Sequence, residues 1–399
     1  MKLKQLSDST QSIEQKIFLR LDLNVPMKDG KITEDYKIKA ALKTIKKLAS
    51  RVEKIIAKKI IIASHLGEPL ADGCLVDKAL EKYSLKPVAE HLAKLLGEKI
   101  KFLPGQDLAK IKNEIDNAKE KIIVLDNLRF WPGELTDDVD FAKQLASLAD
   151  CYINDAFAVS HRKQASVSAI KKFLPSFAGP LLIDEITNLS KALQPEQPMV
   201  IVLGGAKVST KVDLIKNLGQ HSNKILIGGG LANNFLAAQG YNIGQSLIDE
   251  ESIDLAKKLI KKFAGKIVIP VDVVVADSTG LPVWRLVSDV KDGETILDIG
   301  PSTIQEFSRQ IKQAKTIVWN GPVGKFEEEH YRIGTLFVAR EIAWRSRGVA
   351  FGLVGGGETV AALEMTGMTG FVDWVSTAGG AMLAFLGGEA MPGLDGLEK

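Results

Sequence analysis

The sequence predicts an α/β protein with two domains, each built around a parallel β-sheet. Short runs of Val, Ile and Leu recur along the chain, and each ends abruptly in glycines or polar residues before a stretch of helical character. Strands buried on both faces of a parallel sheet read as continuous apolar runs of this kind, and helices connect them. At 399 residues the chain also exceeds what one hydrophobic core usually supports.

The first half of the chain predicts one such domain over residues 1–183. Its apolar runs alternate with helical stretches near residues 38–49, 85–96 and 139–149, which is the pattern of βαβ units. The predicted strands lie near residues 17–24, 59–65, 100–103, 121–126 and 151–155.

A polar segment bounded by prolines predicts a connector over residues 184–198. Residues 184–194 have helical character and precede Pro195 and Pro198, which is typical of a connecting helix rather than a core element. After this connector the alternation starts again, which predicts a second domain over residues 199–375. Its predicted strands lie near residues 199–203, 224–227, 267–271, 316–319 and 350–354.

The composition favours a cytoplasmic protein that binds neither membranes nor nucleic acid. Hydrophobic residues make up 45% and charged residues 25% of the chain, as in soluble globular proteins. No run approaches the roughly 18 apolar residues of a membrane span, and residues 1–15 lack the apolar core of a secretory signal. The net charge is +3, and no basic block is interleaved with aromatic residues. Cys74 and Cys151 have no partner at metal-ligand spacing, which favours free thiols.

The strand endings differ between the two halves, which predicts two different ligands. In open parallel sheets a ligand binds beyond the carboxyl ends of the strands. The strands of the second half end in glycine clusters, whereas those of the first half end in Asp, Asn, His and Arg. We therefore expect the chemistry at these strand ends.

In the second half the strand endings favour a phosphate-bearing ligand. Gly204 and Gly205 let the backbone approach a phosphate closely, and Lys207 and Lys211 place two ammonium groups one helical turn apart. A glycine turn with two solvated lysines would explain the same residues. The run Gly355-Gly-Gly-Glu-Thr359 offers backbone donors, a carboxylate and a hydroxyl, which suit a nucleotide phosphate with Mg²⁺, although a helix cap is an equal alternative. Neither of the standard nucleotide-binding glycine fingerprints occurs.

In the first half the strand endings favour a small anion. Asp22 and Asn24 follow one strand, His65 follows another, and Arg129 and Arg162 follow two more. Each of them alone is better explained as a cap or a solvated side chain. Parallel strands bring their ends together, however, and arginine is suited to bidentate recognition of carboxylates and phosphates.

Taken together, these segments closely resemble the phosphoglycerate kinase family, in order from Leu19 to Gly393. The stretches that carry the resemblance are Arg20-Leu-Asp-Leu-Asn-Val-Pro26, Ser64-His-Leu-Gly67, Asp126-Asn-Leu-Arg-Phe130, Asn154-Asp-Ala-Phe157, Gly204-Gly-Ala-Lys-Val208, Asp298-Ile-Gly-Pro301, Trp319-Asn-Gly-Pro322 and Gly355-Gly-Gly357. The resemblance implies two Rossmann-like domains joined by a connecting helix, in a monomer. It also implies that a C-terminal tail, residues 376–399, packs back on the N-terminal domain, and that hinge closure brings the two ligands together.

The resemblance implies a role for individual residues by their position in the motifs. Catalysis would fall to Lys37, Lys207, Lys211 and Gly357. The residues implied to bind 3-phosphoglycerate are Asp22, Leu23, Asn24, Lys37, His65, Leu66, Gly67, Glu68, Arg129 and Arg162. The residues implied to bind the nucleotide are Lys211, Asn320, Glu327, Gly356, Gly357, Glu358 and Thr359, with Glu358 as the ligand of Mg²⁺.

The reaction that the resemblance implies is reversible phosphoryl transfer between ATP and the carboxylate of 3-phosphoglycerate, which yields ADP and 1,3-bisphosphoglycerate in glycolysis and gluconeogenesis. A carboxylate with a pKa near about 4 is already ionised at neutral pH, so the reaction needs no general base. Catalysis then consists of positioning and of neutralising charge on the transferred group. His65 would serve as a positioning donor.

Several positions depart from the family pattern, and three of them concern the predicted binding sites. Lys37 stands for an arginine, so it keeps the charge and loses the planar fork. Glu68 stands for another arginine and reverses the sign of the charge beside the predicted anion site. At about 4 Å and an effective dielectric near 20, the repulsion of an anion would be about 4 kcal/mol per charge pair, falling towards about 1 kcal/mol in water. Glu358 stands for the usual metal-site aspartate.

These departures leave two alternatives open. The first is a nucleotide-binding protein of the same fold whose turnover is weakened or lost because of Glu68 and Lys37. The second is a kinase for another small carboxylate. A dehydrogenase is disfavoured because the dinucleotide fingerprint is missing.

Overall fold

The computed structural model describes residues 2–6, 15–50, 57–71 and 73–399. Of the N-terminal segment considered for a secretory signal, residues 1 and 7–14 lie outside the described residues. The chain divides into two compact units, which we call the N-terminal unit (Met1–Thr187 with Met391–Lys399) and the C-terminal unit (Asn188–Ala390). The boundaries of functional domains expected after residues 183, 198 and 375 stay predictions.

The N-terminal unit is built around a six-stranded parallel sheet in the order β10-β9-β1-β4-β8-β7. The strands of this unit are β1 (Gln15–Leu21), β2 (Met27–Lys28), β3 (Lys31–Ile32), β4 (Ala57–Ala63), β5 (Leu70–Ala71), β6 (Cys74–Leu75), β7 (Ile100–Leu103), β8 (Ile122–Leu125), β9 (Cys151–Asp155) and β10 (Ser176–Ala178). The helices are α1 (Tyr36–Ala49), α2 (Ala79–Lys82), α3 (Lys86–Leu96), α4 (Leu108–Asn117), α5 (Pro132–Leu135) and α6 (Val139–Ala146). The pairs β2–β3 and β5–β6 are two small antiparallel hairpins.

Helices cover both faces of this sheet, which explains why its central strands are apolar throughout. Leu19 of β1 packs in one core cluster with Ile45 of α1 and Val88 of α3, whereas the adjacent Phe18 packs on the other face with Phe141 of α6. Successive side chains of a strand point to opposite faces, so one strand supplies both clusters. The buried residues of α1 recur at helical spacing (Ile38, Ala41, Ile45 and Leu48), as expected for a helix with one face on a core.

Helix α7 (Pro180–Leu193) begins in the N-terminal unit and ends in the C-terminal unit. The strands of the C-terminal unit are β11 (Met199–Leu203), β12 (Lys224–Ile227), β13 (Ile267–Val268), β14 (Asp272–Ala276), β15 (Pro282–Leu286), β16 (Thr295–Ile299), β17 (Thr316–Asn320), β18 (Phe351–Gly355) and β19 (Trp374–Ser376). The helices are α8 (Val212–His221), α9 (Gly229–Ala238), α10 (Ile253–Lys262), α11 (Pro301–Gln313), α12 (Ile333–Ser346), α13 (Gly357–Glu364) and α14 (Gly379–Gly387).

The C-terminal unit contains a second six-stranded parallel sheet, in the order β13-β12-β11-β17-β18-β19. A separate antiparallel sheet, β15-β14-β16, was not predicted. Its strand β15 alternates between exposed and half-buried residues, which is typical of an antiparallel strand with one face in water. That alternation is a short-range signal of a strand, and it differs from the continuous apolar runs that predicted the other strands. Among the described residues, no helix is both long and apolar enough to cross a membrane.

Candidate functional site

The carboxyl ends of the central strands of the N-terminal unit lie side by side. Strand β1 lies between β9 and β4, with Leu21 beside Asp155 and Arg20 beside Ala63. The segments that follow β1 and β4 are joined by hydrogen bonds, because Leu23 N–H donates to Ser64 Oγ at 2.8 Å and Gly67 N–H donates to Asn24 Oδ1 at 2.9 Å. We call this edge the acceptor edge.

Asn127 organises the acceptor edge, although sequence reasoning gave it no role. Its Nδ2 donates to Leu66 O at 2.7 Å and to Tyr83 O at 3.0 Å, and its Oδ1 accepts the N–H of Arg129 at 3.0 Å. The side chain is fully buried, so water does not compete for these hydrogen bonds. An asparagine two residues after the apolar run of β8 was the available signal, because such a residue usually bonds to nearby backbone.

Arg129 is buried at the acceptor edge and is paired with Glu68. Its side chain is 2% exposed, and its Nη1 donates to Gly67 O at 2.7 Å and to Glu68 Oε1 at 2.5 Å. The Nε of Arg129 is buried and has no hydrogen-bond partner among the described residues. Glu68 therefore does not turn away from the predicted anion site, and the carboxylate lies on one of the arginines expected to bind the anion.

Lys37 is paired with a carboxylate as well. Its Nζ donates to Asp22 Oδ2 at 2.7 Å, and Asp22 Oδ1 accepts the N–H of Asn24 at 3.0 Å. Lys37 stands in the first turn of α1, close to the end of β1. Asp22 therefore joins this lysine to the loop that follows β1.

His65 is buried beside a buried arginine. Arg20 Nη2 lies 3.4 Å from His65 Nδ1, and a guanidinium can only donate, so Nδ1 accepts and the ring proton resides on Nε2. Burial, followed by the charges of Arg20, Arg129, Lys37 and Arg162, holds the pKa of His65 well below its ordinary value. His65 is therefore neutral at neutral pH and can donate a hydrogen bond from Nε2.

Arg20 is the second residue that sequence reasoning missed. Its guanidinium is fully buried, donates from Nε to Ser166 Oγ at 2.8 Å and lies 3.9 Å from Glu134. Burial raises the pKa of the Glu134 carboxyl, and the charge of Arg20 opposes that shift. An arginine inside an otherwise apolar strand was the signal, because a buried charge requires a partner.

The predicted acceptor residues lie together in the N-terminal unit. A chain of hydrogen bonds runs from Lys37 through Asp22 and Asn24 to Gly67 and on to Arg129, which also bonds to Glu68, and Leu23 is bonded to Ser64, the neighbour of His65. Arg162 is exposed, and its charge lowers the pKa of both His65 and Arg129, which places it near them. Within the described residues, Arg162 has no carboxylate partner, so it is the cation of this edge that is not neutralised.

Glycines dominate the corresponding edge of the C-terminal unit, which we call the nucleotide edge. The strands β11, β17 and β18 are neighbours, so Leu203, Asn320 and Gly355 lie side by side at their ends. The N–H of Gly205 donates to Pro322 O at 2.9 Å. A Cβ at Gly204 would lie 1.9 Å from the same oxygen, so only glycine fits there.

Lys211 is buried at this edge. Its Nζ donates to Asn320 Oδ1, and Asn320 Nδ2 donates in turn to Gly355 O at 2.6 Å. Burial lowers the pKa of Lys211 to about 8, against the opposing charge of Glu358. Lys207, by contrast, is exposed. The two lysines therefore differ in environment although both precede the same helix, α8.

The loop before α13 forms the third part of the nucleotide edge. Gly356 has φ +99°, a conformation that side chains rarely adopt, and Gly357 begins the helix. Thr359 Oγ1 accepts the N–H of Gly321 at 2.7 Å, which joins this helix to the end of β17. Glu358 is exposed in the first turn, where backbone N–H groups without helical partners favour anions.

A cavity of about 350 Å³ adjoins these glycines. Its lining combines glycines of two turns with apolar side chains, among them Gly205, Gly229, Leu236, Val273, Ile296 and Leu297. Glu327 and Glu358 also line it. A mostly apolar cleft with a few polar groups is the usual form of a small-molecule site, and its volume lies within the usual range of such sites.

A family model described as phosphoglycerate kinase matches residues 7–389. The chain belongs to the phosphoglycerate kinase family. Two curated relatives called phosphoglycerate kinase, from Thermosipho africanus and Pseudothermotoga lettingae, are each 43% identical to it, and each alignment covers 95% of this chain and 94% of the relative. The phosphoglycerate kinase structure from Coxiella burnetii is similar with a TM-score of 0.85 at 38% identity, covering 98% of both chains. That from Pyrococcus horikoshii has a TM-score of 0.83 at 30% identity, covering 99% of this chain and 98% of the other.

As a phosphoglycerate kinase family member, the chain is a phosphotransferase with a nucleotide substrate, and the predicted α/β fold is confirmed. The comparisons do not favour the alternatives of an inactive nucleotide-binding protein or a kinase for another carboxylate. The role of each individual residue stays a prediction.

The nucleotide edge of this phosphoglycerate kinase family member fits a metal that is shared with a nucleotide. No group of three or more His, Cys, Asp and Glu side chains that could hold a metal ion occurs in the described parts of the chain. Mg²⁺ usually binds one or two carboxylates together with substrate phosphates and water, so it needs no such group. Glu358 offers an exposed carboxylate beside the cavity and the first turn of α13.

Proposed function

We propose that this chain transfers a phosphoryl group reversibly between MgATP and the carboxylate of 3-phosphoglycerate, with the acceptor at the acceptor edge and the nucleotide at the nucleotide edge. The observation that carries the proposal is that one chain of this family has both edges. One edge gathers cationic side chains around a neutral histidine, and the other combines glycine backbone that lines a cavity with a buried lysine at the strand ends.

The acceptor edge provides charge and hydrogen bonds for a multiply charged anion. Arg129, Arg162 and Lys37 supply positive charge, and His65 donates from Nε2. Asp22 and Asn24 hold Lys37 and the Gly67 loop in position. The buried Leu23 and Leu66 fix the backbone on which these side chains stand.

The nucleotide edge provides close backbone approach and one buried cation. The first turn of α13 offers N–H groups to phosphates, the turn at Gly204 and Gly205 allows close approach of the backbone, and the adjoining cavity accepts the base and sugar. Glu358 would hold Mg²⁺ together with the phosphates. Asn320 and Thr359 join the end of β17 to the loop before α13 and to α13 itself. Bound Mg²⁺ would neutralise phosphate charge.

The chemistry follows from the charge of the two reactants. The acceptor carboxylate is ionised at neutral pH, so none of these residues needs to remove a proton. Lys211 and the N–H of Gly357 would neutralise the developing charge on the transferred group, with Lys37 and Lys207 as further cations. Because Lys211 is buried and fixed by Asn320, its charge needs little reorganisation during the reaction.

We also infer that the protein acts as a cytoplasmic monomer and that its functional domains, residues 1–183 and 199–375, close on binding both substrates. The helical connector over residues 184–198 would carry the hinge, and residues 376–399 would return to the N-terminal domain. Small-angle scattering with and without both substrates tests the closure, and identical curves would contradict it.

Steady-state transfer from MgATP to 3-phosphoglycerate tests the proposed reaction. We expect saturable turnover in both substrates, together with loss of turnover in the Lys211→Ala variant. A protein that binds Mg-nucleotide but neither binds nor phosphorylates 3-phosphoglycerate would contradict the proposal.

A further inference from the structure

The carboxylate of Glu68 is brought to Arg129 by the backbone around Gly67. Gly67 has φ +56°, and a Cβ at this position would lie 2.4 Å from the ring of Tyr83, so the turn requires glycine. The N–H of Gly67 donates to Asn24, and its carbonyl accepts from Arg129. The next residue, Glu68, is therefore held where its Oε1 lies 2.5 Å from Arg129 Nη1.

The two partners of this ion pair differ in exposure. The Arg129 side chain is 2% exposed and is also held by its hydrogen bond to Gly67 O, whereas the Glu68 side chain is 68% exposed. Glu68 can therefore swing into water and be hydrated there, while the guanidinium remains. The buried Nε of Arg129 has no partner in the described part of the chain, so the guanidinium has a donor left for a second acceptor.

The remaining charges of the acceptor edge show a similar pattern. Lys37 is paired with Asp22, and Arg20 lies near Glu134, so internal carboxylates already accompany these cations. The Asp22 and Glu134 side chains are 12% and 0% exposed and are held by further hydrogen bonds. Glu68 is the carboxylate of this group that is mostly in water, and hence the one that an incoming anion displaces most readily.

We infer that Glu68 is an affinity-determining residue, an internal anion that occupies Arg129 and that the acceptor must displace to bind. A monoanion that takes its place exchanges one unit of charge for an equal one and gains little. A dianionic phosphate group brings twice the charge and gains attraction from Arg129 and Arg162 together. The free energy of displacing Glu68 is the same for every ligand, so Glu68 lowers the affinity for all anions by a similar factor, and the difference between their affinities does not change.

This inference rests on the proposed function, and calorimetric binding tests it without any turnover. The Glu68→Gln variant keeps the shape and removes the charge, and Glu68→Ala removes the contact. Glu90→Gln, an exposed glutamate on α3, is the matched control. Binding of 3-phosphoglycerate, and of glycerate as the probe without a phosphate, is measured for the full-length protein and the three variants.

We expect 3-phosphoglycerate to bind both Glu68 variants about tenfold or more tightly, and glycerate to gain by a similar factor, so that the ratio of the two affinities stays nearly the same. In turnover, KM for 3-phosphoglycerate should fall while kcat stays the same or decreases, and Glu90→Gln should leave both unchanged. Equal or weaker binding of 3-phosphoglycerate in the Glu68 variants would overturn the inference, as would a gain for 3-phosphoglycerate with none for glycerate. Tighter binding by the Glu68 variants, with no turnover by the unmodified protein or any variant, would support this inference but contradict the proposed reaction.

Discussion

The acceptor edge and the nucleotide edge stand at the same place on two similar sheets, yet they are built from different parts of the chain. The acceptor edge uses long charged side chains, and its cations Lys37 and Arg129 are joined to carboxylates. The nucleotide edge uses backbone, with glycines packed against Pro322 and one buried lysine. At the acceptor edge a substitution changes the charge of one side chain. At the nucleotide edge the glycine backbone packs so closely that an added side chain would collide with it.

This difference teaches that substitutions should act in different ways at the two edges. For exposed cations of the acceptor edge, such as Arg162, we expect graded effects on affinity, because exposed charges contribute modestly and water can replace them. At the nucleotide edge we expect steep effects on both affinity and stability, because a clash or an unpaired buried group cannot be relieved by water.

The largest effect is expected from Gly204→Ala. The added Cβ would lie 1.9 Å from the carbonyl oxygen of Pro322, and both atoms belong to backbone that cannot move independently. We expect the free energy of unfolding to fall by about 3 kcal/mol and nucleotide affinity to fall severely. Chemical denaturation and nucleotide titration measure these changes. Gly293→Ala is the control, because a Cβ there meets nothing within 4 Å. Equal stability and equal nucleotide affinity in Gly204→Ala and in this control would contradict the expected difference between the two edges.

The next largest effect is expected from Lys211→Ala. The substitution removes a buried cation and leaves the amide oxygen of Asn320 without its donor. We expect kcat to fall about 100-fold or more, since preorganised charge in a buried site is worth that much. Steady-state kinetics measures it, with Lys216→Ala, an exposed lysine on α8, as the control. A loss confined to KM for the nucleotide would show that Lys211 only binds.

A smaller effect concerns pH and Asp298, which lines the nucleotide cavity. Burial raises the pKa of Asp298 to about 7, above the value of about 4 expected in the unfolded chain. The folded state therefore binds this proton more tightly. Its contribution to stability is complete below about pH 4 and is lost as the pH rises through about 7.

We therefore expect the free energy of unfolding to decrease by about 4 kcal/mol from this group between about pH 4 and pH 8. Asp298→Asn cannot titrate, so its unfolding should depend less on pH, even though it also loses an acceptor for Gly334 N–H. Denaturant titrations across this range measure the slope, with the exposed Asp289→Asn as the control. An equal slope in Asp298→Asn and in the unmodified protein would assign the pH dependence to other groups, such as Asp155.

The smallest effect is expected from Arg162→Ala at the acceptor edge. Arg162 is exposed and is not neutralised by a described carboxylate, so its loss should raise KM for 3-phosphoglycerate about tenfold and leave stability unchanged. The exposed neighbour Lys163→Ala is the control. Increasing salt should reduce the difference between the variant and the unmodified protein, because exposed charges are screened. A large loss of stability in Arg162→Ala would contradict the distinction between the two edges.

The strands could be predicted well from the sequence, because their burial on both faces makes them continuous apolar runs. The predicted bounds of β7, β9, β11 and β12 agree with the structure. The antiparallel sheet of β14, β15 and β16 was missed, since it is half exposed and its strands alternate instead. The short strand β13 was predicted to extend to residue 271, but it ends at Val268, after which the chain passes to β14.

The candidate sites could be predicted as sets of residues but not as sets of contacts. The residues after the apolar runs meet because parallel strands align their ends, so Asp22, His65 and Arg129 could be grouped from sequence alone. Asn127 and Arg20 could not be assigned a role. Their importance depends on which backbone groups and carboxylates lie within hydrogen-bond reach, as Leu66 O and Glu134 do.

Sequence by itself determined the two kinds of strand ending. With them it determined the fold, the family and the division between the acceptor edge and the nucleotide edge. Only the tertiary structure decided what Glu68 does. The sequence placed a negative charge beside the anion site and predicted repulsion of the substrate. The fold places that charge on Arg129, 61 positions further along the chain. This pairing depends on the turn at Gly67 and on the burial of Arg129, and a local sequence pattern specifies neither the distance nor the exposure of two groups so far apart in the chain.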